Sequence, residues 1–395
     1  MGEWRLALVE DLCRRVTSGG TPARSHPEYF ADGGPGHSWV KSSELRDGRI
    51  RRTEEKITDL GLENSAAKLL DPGAVLVAMY GATAGRVGFL LTEAALNQAI
   101  CALVPDADRA DPAFLFYALR AQYETLSSST AGAAQQNLNA GTIKAFSILV
   151  PELRTQRRIA ALLSALDDLI ELNERRIELL EDLARSLYRE WFAHVPPVGW
   201  KEVPLSTVAR ITMGQAPKSE FYNDTGFGLP FHQGVADFGN LLPLHAKFCT
   251  AAIRTAEPLD VLCSVRAPVG RLNIADQLLG IGRGLSAIRR TDRAQAFLLL
   301  QLRQALGEVD SIGGGTIYKA VGKAELADLP ILEPEPELVT AFEQIAWPML
   351  DFRIELTRQI RQLEAARDLL LPRLVTGQLD ISDIDLGVLT PADPE

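Results

Sequence analysis

The chain has 395 residues, 46% of them apolar, with 41 basic and 51 acidic side chains and a formal charge of −10. It contains no run of about 18 apolar residues, so nothing in it spans a membrane, and the start MGEWRLALVEDLCRR is too charged for a secretory signal. Cys13, Cys101, Cys249 and Cys263 stand far apart without CxxC or CxxH spacing, which argues against structural zinc and suits a reduced, cytoplasmic protein.

The acidity is unevenly placed. Residues 4–150 carry 15 Lys/Arg and 16 Asp/Glu, and residues 200–336 carry 14 of each. Glu3, Glu152, Glu337 and five acids of the tail supply −8 of the −10, so the folded stretches are near neutral. A near-neutral unit can still present a basic face, and RIRR (49–52) and RRTDR (289–293) are candidate patches; the alternative for each is a solvated mixed-charge surface.

In chain order, the first block opens with the Trp-led segment EWRLALVEDLCRRVTSGGTP (3–22). VLVAMYGATAGRVGF (75–89) then reads as a β-branched strand, a small-residue turn with Gly-Arg, and another strand. After LNQAICALVP (96–105) comes a Gly-rich loop, a short helical stretch and a strand, STAGAAQQNLNAGTIKAFSILVP. From about 156 to 192, Ile159, Leu163, Leu166, Ile170, Asn173, Ile177, Leu180, Ala184, Leu187 and Trp191 fall at alternating steps of four and three. That is the heptad period of a coiled coil, and a rod of about 55 Å at 1.5 Å per residue needs a partner for its seam.

The same order then repeats. GWKEVPLSTVARITMGQAP (199–217) matches the Trp-led start, VLCSVRAPVGRLNI (261–274) matches 75–89, and GIGRGLSAIRR (280–290) sits where LNQAICALVP sits. SIGGGTIYKAVGKAELADLPILEP leads to a second seam of Ile345, Met349, Phe352, Leu356, Gln359, Leu363, Ala366, Leu370 and Arg373. The second seam lies 186 residues after the first, which places Gln359 on Asn173. A carboxamide pair in an apolar seam costs stability and fixes register, whichever way the rods run. Pro348 is expected at a first turn, which would make the second rod the shorter. Trp4 and Trp200 are expected to anchor the start of each domain.

These segments, with SGGTP (18–22), HSWVKSSEL (37–45), NQAICAL (97–103), IGRGLSAIR (281–289) and the close LLLPRLVTGQLDI (369–381), occur in an order that resembles the specificity (S) subunit of type I restriction–modification systems over essentially the whole chain. The resemblance implies an α/β (α+β) chain with two globular target recognition domains separated by two long helices that form an intramolecular antiparallel coiled coil. Its implied divisions are recognition domain 1 (1–153), spacer helix 1 (154–192), recognition domain 2 (193–337), spacer helix 2 (338–376) and an acidic tail (377–395). It further implies a subunit that recognises a bipartite double-stranded DNA target and recruits two modification subunits and the motor-nuclease restriction subunits. S-adenosylmethionine, ATP and Mg would belong to those partners, with no cofactor or metal in this chain.

Candidate contacts follow from the chemistry of base edges, where Asn and Gln suit adenine and Arg or Lys suits guanine. AAQQNLNAGTIK supplies Gln135, Gln136, Asn137, Asn139 and Lys144, and resembles a family segment that lies near DNA; the alternative is a surface loop leading into a helix cap. The corresponding GGGTIYKAVGK offers Tyr318, Lys319 and Lys323, a departure suggesting that the two heads read different half-sites. Lys41, Arg86, Arg266, Arg271 and Arg283 complete the set. For Arg86, Arg271 and Arg283 the alternative is a Gly-Arg turn whose Arg pairs with a nearby acid.

Catalytic patterns are absent from the sequence: no GxxxxGK[ST], HExxH, GxSxG, or Asp/Asn-Pro-Pro-aromatic methyltransferase motif occurs. The paired acids Glu54-Glu55 and Asp167-Asp168 lack a His within a plausible motif. The expectation is a non-catalytic DNA-reading subunit; the competing reading is a coiled-coil scaffold that assembles other proteins without reading DNA.

Overall fold

The computed structural model describes residues 4–31, 33–128, 138–192, 200–307 and 321–381. It divides into two compact units: unit 1 is 1–170 with 363–395, and unit 2 is 171–362.

Unit 1 is built on strands β1 (Cys13–Ser18), β2 (Val75–Ala78), β3 (Val87–Leu90) and β4 (Ile100–Pro105), in the sheet order β1-β4-β2-β3 with Gly48–Ile50 added parallel to β3. All four residues of β2, VLVA, are buried, as expected of a central strand with both faces covered. One face is covered by helix α1 (Pro112–Ala121). Asp111 caps its N-terminus by accepting from the Phe114 N–H at 2.9 Å, Pro112 occupies the first turn, and Phe114 to Leu119 are buried.

Unit 2 repeats the plan. Strands β5 (Ala209–Met213), β6 (Val261–Ser264), β7 (Leu272–Ile274) and β8 (Leu285–Arg290) lie in the order β5-β8-β6-β7, covered by helix α3 (Gln295–Leu306). The registers correspond as well: Val77 faces Cys101 in unit 1, and Cys263 faces Ser286 in unit 2. Each unit is closed by an antiparallel pair, Arg5–Leu8 with Ser147–Val150 and Lys201–Pro204 with Pro330–Glu333. Trp200 donates its indole N–H to Glu335 at 2.7 Å, and Trp4 packs on the core of unit 1.

The heptad stretches are helix α2 (Leu153–Phe192) and helix α4 (Pro336–Val375), each of 40 residues. Both contribute to both units, and within each unit they run antiparallel. In unit 1, Ile159 and Leu163 share a core with Leu371, Leu374 and Val375, and Arg367 reaches Asp167 at 2.9 Å. In unit 2, Glu181 bonds Arg353, and the rings of Phe192 and Phe342 lie 5.0 Å apart.

Two expectations are corrected. α4 is as long as α2, and Pro348 lies inside it: Pro348 and Gln344, whose carbonyl loses its N–H partner there, are both exposed, on the side of the helix where such a loss costs least. The second seam is also turned by one residue at its start. Ile345 and Phe352 are 40% and 47% exposed, while Phe342, Ala346, Leu350 and Arg353 are buried. The inner face includes a charged Arg353 held by Glu181, so an apolar pattern cannot reveal it. Arg373 is exposed as well.

Candidate nucleic-acid interface

In unit 2, the strand Leu229–His232 runs parallel to Leu279–Ile281, pairing Phe231 with Gly280 and His232 with Ile281. Beyond the pairing, the Gly282 N–H donates to the His232 carbonyl at 2.8 Å and the Gly284 N–H to the Gln233 carbonyl at 3.0 Å. A Cβ on Gly284 would stand 2.3 Å from the Gln233 oxygen, so the approach requires glycine. Val265 N–H donates to Gly284 at 2.9 Å, and this draws the turn after β6 alongside. The result is a cleft of about 290 Å³ in which Gln233, Arg266 and Arg283 line the wall with Gly234, Val235, Ala267 and Gly284. Arg266 and Arg283 are exposed, and neither forms an ion pair with a described residue. A guanidinium pair beside a carboxamide can bind phosphate and read a base edge.

The same backbone plan in unit 1 places different side chains. Trp39 and Val40 pair parallel with Ala95 and Leu96, and the Asn97 N–H donates to the Val40 carbonyl at 3.0 Å. Met79 N–H donates to Ala99 as Val265 does to Gly284. Lys41, Tyr80 and Gln98 therefore occupy the places of Gln233, Arg266 and Arg283. Tyr80 is 42% exposed, and Gln98 accepts from the Thr21 hydroxyl. The Leu138 N–H donates to Met79 at 2.9 Å and the Val321 N–H to Val265 at 2.9 Å, so Leu138 and Val321 each lie beside this position.

The other candidates sort by their partners. Lys41 is held by Glu54 at 2.7 Å and Glu55 at 2.9 Å, and these bonds raise its pKa. The paired acids Glu54-Glu55 thus serve as a clamp. Arg86 bonds Asp47 and stacks over the Tyr123 ring at 4.0 Å, and the Asp47 hydrogen bond first of all raises its pKa; this is the Gly-Arg turn in its structural role. Arg271 is exposed, with its backbone N–H on Ser264 Oγ at 2.9 Å. Asn139 caps the helix Ala140–Lys144 by accepting from Thr142 N–H at 2.9 Å, and Lys144 closes that helix half-buried. Lys323 is exposed at the first position of Lys323–Ala327. Gln135, Gln136, Asn137, Tyr318 and Lys319 lie outside the described residues. Asn173 donates to Gln359 Oε1 at 3.4 Å inside unit 2.

Neither basic patch offers a simple run of available cations. Arg49 is 6% exposed and bound to Asp168 at 2.7 Å, Arg289 bonds Asp260, and buried Arg290 bonds Glu333 at 2.7 Å and Asp292 at 2.9 Å. These arginines hold the fold.

The family model described as the type I restriction modification DNA specificity domain matches residues 1–182. A chain of Methanocaldococcus jannaschii that carries the provisional name type I restriction enzyme MjaX specificity subunit is 28% identical over 96% of this chain and 94% of its own length. The MjaIX specificity subunit of the same organism is 24% identical over 97% of this chain and 95% of that one. Over nearly its whole length the chain is thus similar to type I restriction–modification specificity subunits. The crystal structure of a type I restriction-modification system S subunit from M. genitalium shares the fold, with a TM-score of 0.68 at 16% identity, covering 95% of this chain and 96% of that one.

Sequence reading missed Tyr80, Gln98 and Gln233. No local motif marks them. They emerge only when the parallel strand pairs of the two units are aligned, although the 186-residue offset already relates Tyr80 to Arg266. Among the described residues no helix is long and apolar enough to cross a membrane, and no cluster of three His, Cys, Asp or Glu could hold a metal.

Proposed function

We propose that this chain is the DNA sequence-specificity subunit of a type I restriction–modification complex, reading a split target with two heads. The observation that carries the reading is the pair of corresponding positions with different chemistry: Lys41, Tyr80 and Gln98 in unit 1 against Gln233, Arg266 and Arg283 in unit 2. Duplicated backbones with divergent side chains suit two half-sites of different sequence, whereas a scaffold gains nothing from the divergence. In this reading, 1–153 and 193–337 are the recognition domains, the helices 154–192 and 338–376 set their spacing, and 377–395 is an acidic tail.

The chain contributes no catalytic group. Two modification subunits supply S-adenosylmethionine-dependent adenine methylation, and restriction subunits supply ATP- and Mg-dependent translocation and cleavage, in the cytoplasm. Methyl transfer to a base requires extruding it from the stack, so the assembled complex grips duplex around the target. Gln233 with the two cleft arginines reads base edges and phosphate in one half-site.

The test is co-expression with a compatible modification subunit, followed by single-molecule sequencing of the host genome for methyladenine. A split motif of fixed gap, methylated only when this chain is present, is the expected result. A stable complex that adds no methylation would favour the scaffold.

A further inference from the structure

The helix pair carries charges on its inner face. In unit 1, Asp167 of α2 is 7% exposed and accepts from Arg367 of α4 at 2.9 Å and from the Tyr117 hydroxyl at 2.6 Å. In unit 2, Glu181 of α2 bonds Arg353 of α4, itself 3% exposed, together with Arg303 of α3. Asp167 precedes Arg353 by 186 positions and Glu181 precedes Arg367 by 186, the separation that also relates Asn173 to Gln359. Exchanging the helices by the repeat therefore carries one ion pair onto the other. Yet both acids stand on α2 and both arginines on α4.

We infer that this asymmetry makes α2 and α4 selective for each other and excludes pairing of either helix with a second copy of itself. In the same antiparallel register, a second α2 would bring Glu181 to the place of Arg367 and Asp167 to the place of Arg353, setting acid against acid at both sites. A second α4 would set Arg353 against Arg367 twice, with an Arg303 beside each of the contacts. An uncompensated buried charge is strongly destabilising, and repulsion against the wrong partner is how heptad helices choose among similar seams. Not every seam position discriminates: Ala160 corresponds to Ala346, and the central carboxamides can pair with each other in any combination. The partner that fits α2 is a heptad helix bearing arginines at these two levels.

The test cuts the folded full chain at a protease site placed within 193–199, dissociates the two fragments in urea, renatures them together, and counts pairings by native mass spectrometry. The unaltered chain should return the mixed pair over either like pair by at least roughly ten to one, the ratio that about 1.4 kcal/mol gives. Glu181→Arg with Arg353→Glu and Arg303→Glu keeps both mixed ion pairs but makes the like pairs complementary too. It should bring all three pairings within about twofold of their statistical proportions. A neutral set, Asp167→Asn, Glu181→Gln, Arg353→Gln and Arg367→Gln, should do the same and decides the matter if the reversed set does not fold. Abundant like pairs from the unaltered chain, or exclusive mixed pairing by the neutral set, would overturn the inference.

Discussion

Asn173 Nδ2 donates to Gln359 Oε1 at 3.4 Å, joining two residues that hold the same place in the two copies of the repeat. Asn173 is 4% exposed and its Oδ1 also accepts from Arg176 at 3.4 Å, so it is satisfied without being tightly bound. Asn173→Leu or Gln359→Leu alone should cost about 1–2 kcal/mol by leaving one polar atom of its partner without this bond. The double substitution should return to within about 0.5 kcal/mol of the parent or exceed it. Urea unfolding of the four proteins measures the cycle, and strictly additive losses would contradict the pairing.

The network around Glu181 predicts an asymmetry. Arg353, whose pKa is brought down to about 10 by burial, depends on Glu181, whereas Glu181 also holds Arg303 and Arg185, the latter at 2.7 Å. Burial pushes the Glu181 pKa up, but Arg353 and Arg303 outweigh it and bring it below the usual value. Glu181→Gln strands the buried Arg353 and should cost about 3–5 kcal/mol. Arg353→Met leaves Glu181 paired twice and should cost less than half as much, read by the same unfolding assay.

His232 gives unit 2 an acid limit. Its ring is buried, Nε2 meets His245 Nδ1 at 3.0 Å, and His245 in turn meets Asp276 at 3.1 Å. Burial first, then His245, lower the His232 pKa from 6.5 to about 4, against the pull of Asp237 and Asp276. A depressed base is neutral in both states above pH 6.5, so its contribution is full there. Between 6.5 and about 4 the unfolded chain takes a proton that the folded one refuses, and stability falls by up to about 3 kcal/mol. Unfolding midpoints at pH 7 and pH 5 should converge in His232→Gln relative to the parent; an unchanged pH dependence would refute this account.

The arginines divide into readers and struts. Arg266→Ala and Arg283→Ala should each weaken DNA binding by the assembled complex and lower the salt slope by about one, as for a lost phosphate contact. Arg86→Ala removes an ion pair and a ring contact inside unit 1, and should lower thermal stability while leaving the slope unchanged. A slope change for Arg86 equal to that for Arg266 would remove the distinction.

Much of the architecture was legible because heptads and β-branched strands announce themselves locally. The duplication followed from spacing alone. The start of α4 was misread because its inner face includes Arg353, and the polar groups Asp167 and Glu181 likewise hide in the seam of α2: a charge neutralised through space looks like surface in a linear pattern. The cleft was half legible. Arg283 stands out between two glycines and Arg266 at the turn after a β-branched strand, but Gln233 comes from a different strand and joins them only through the parallel pairing of Phe231 with Gly280. Arg86 and Arg271 share a motif, yet Arg86 bonds an acid, Asp47, that the motif does not contain.

The core of unit 1 draws on both ends of the described chain: Val9, Phe116 and Ile159 pack in one cluster with Leu371, Leu374, Val375 and Ile381. The closing turn is Gly377 at φ +72°, where a Cβ would stand 2.7 Å from the Trp4 ring. Unit 2 is contiguous in sequence, and unit 1 is not. The order of completion during synthesis is thus inverted. The ribosome delivers the first unit's strands early, but the segment that seals them is made only after the whole of unit 2. Chains released after residue 362 should hold a finished second unit and a protease-sensitive first one.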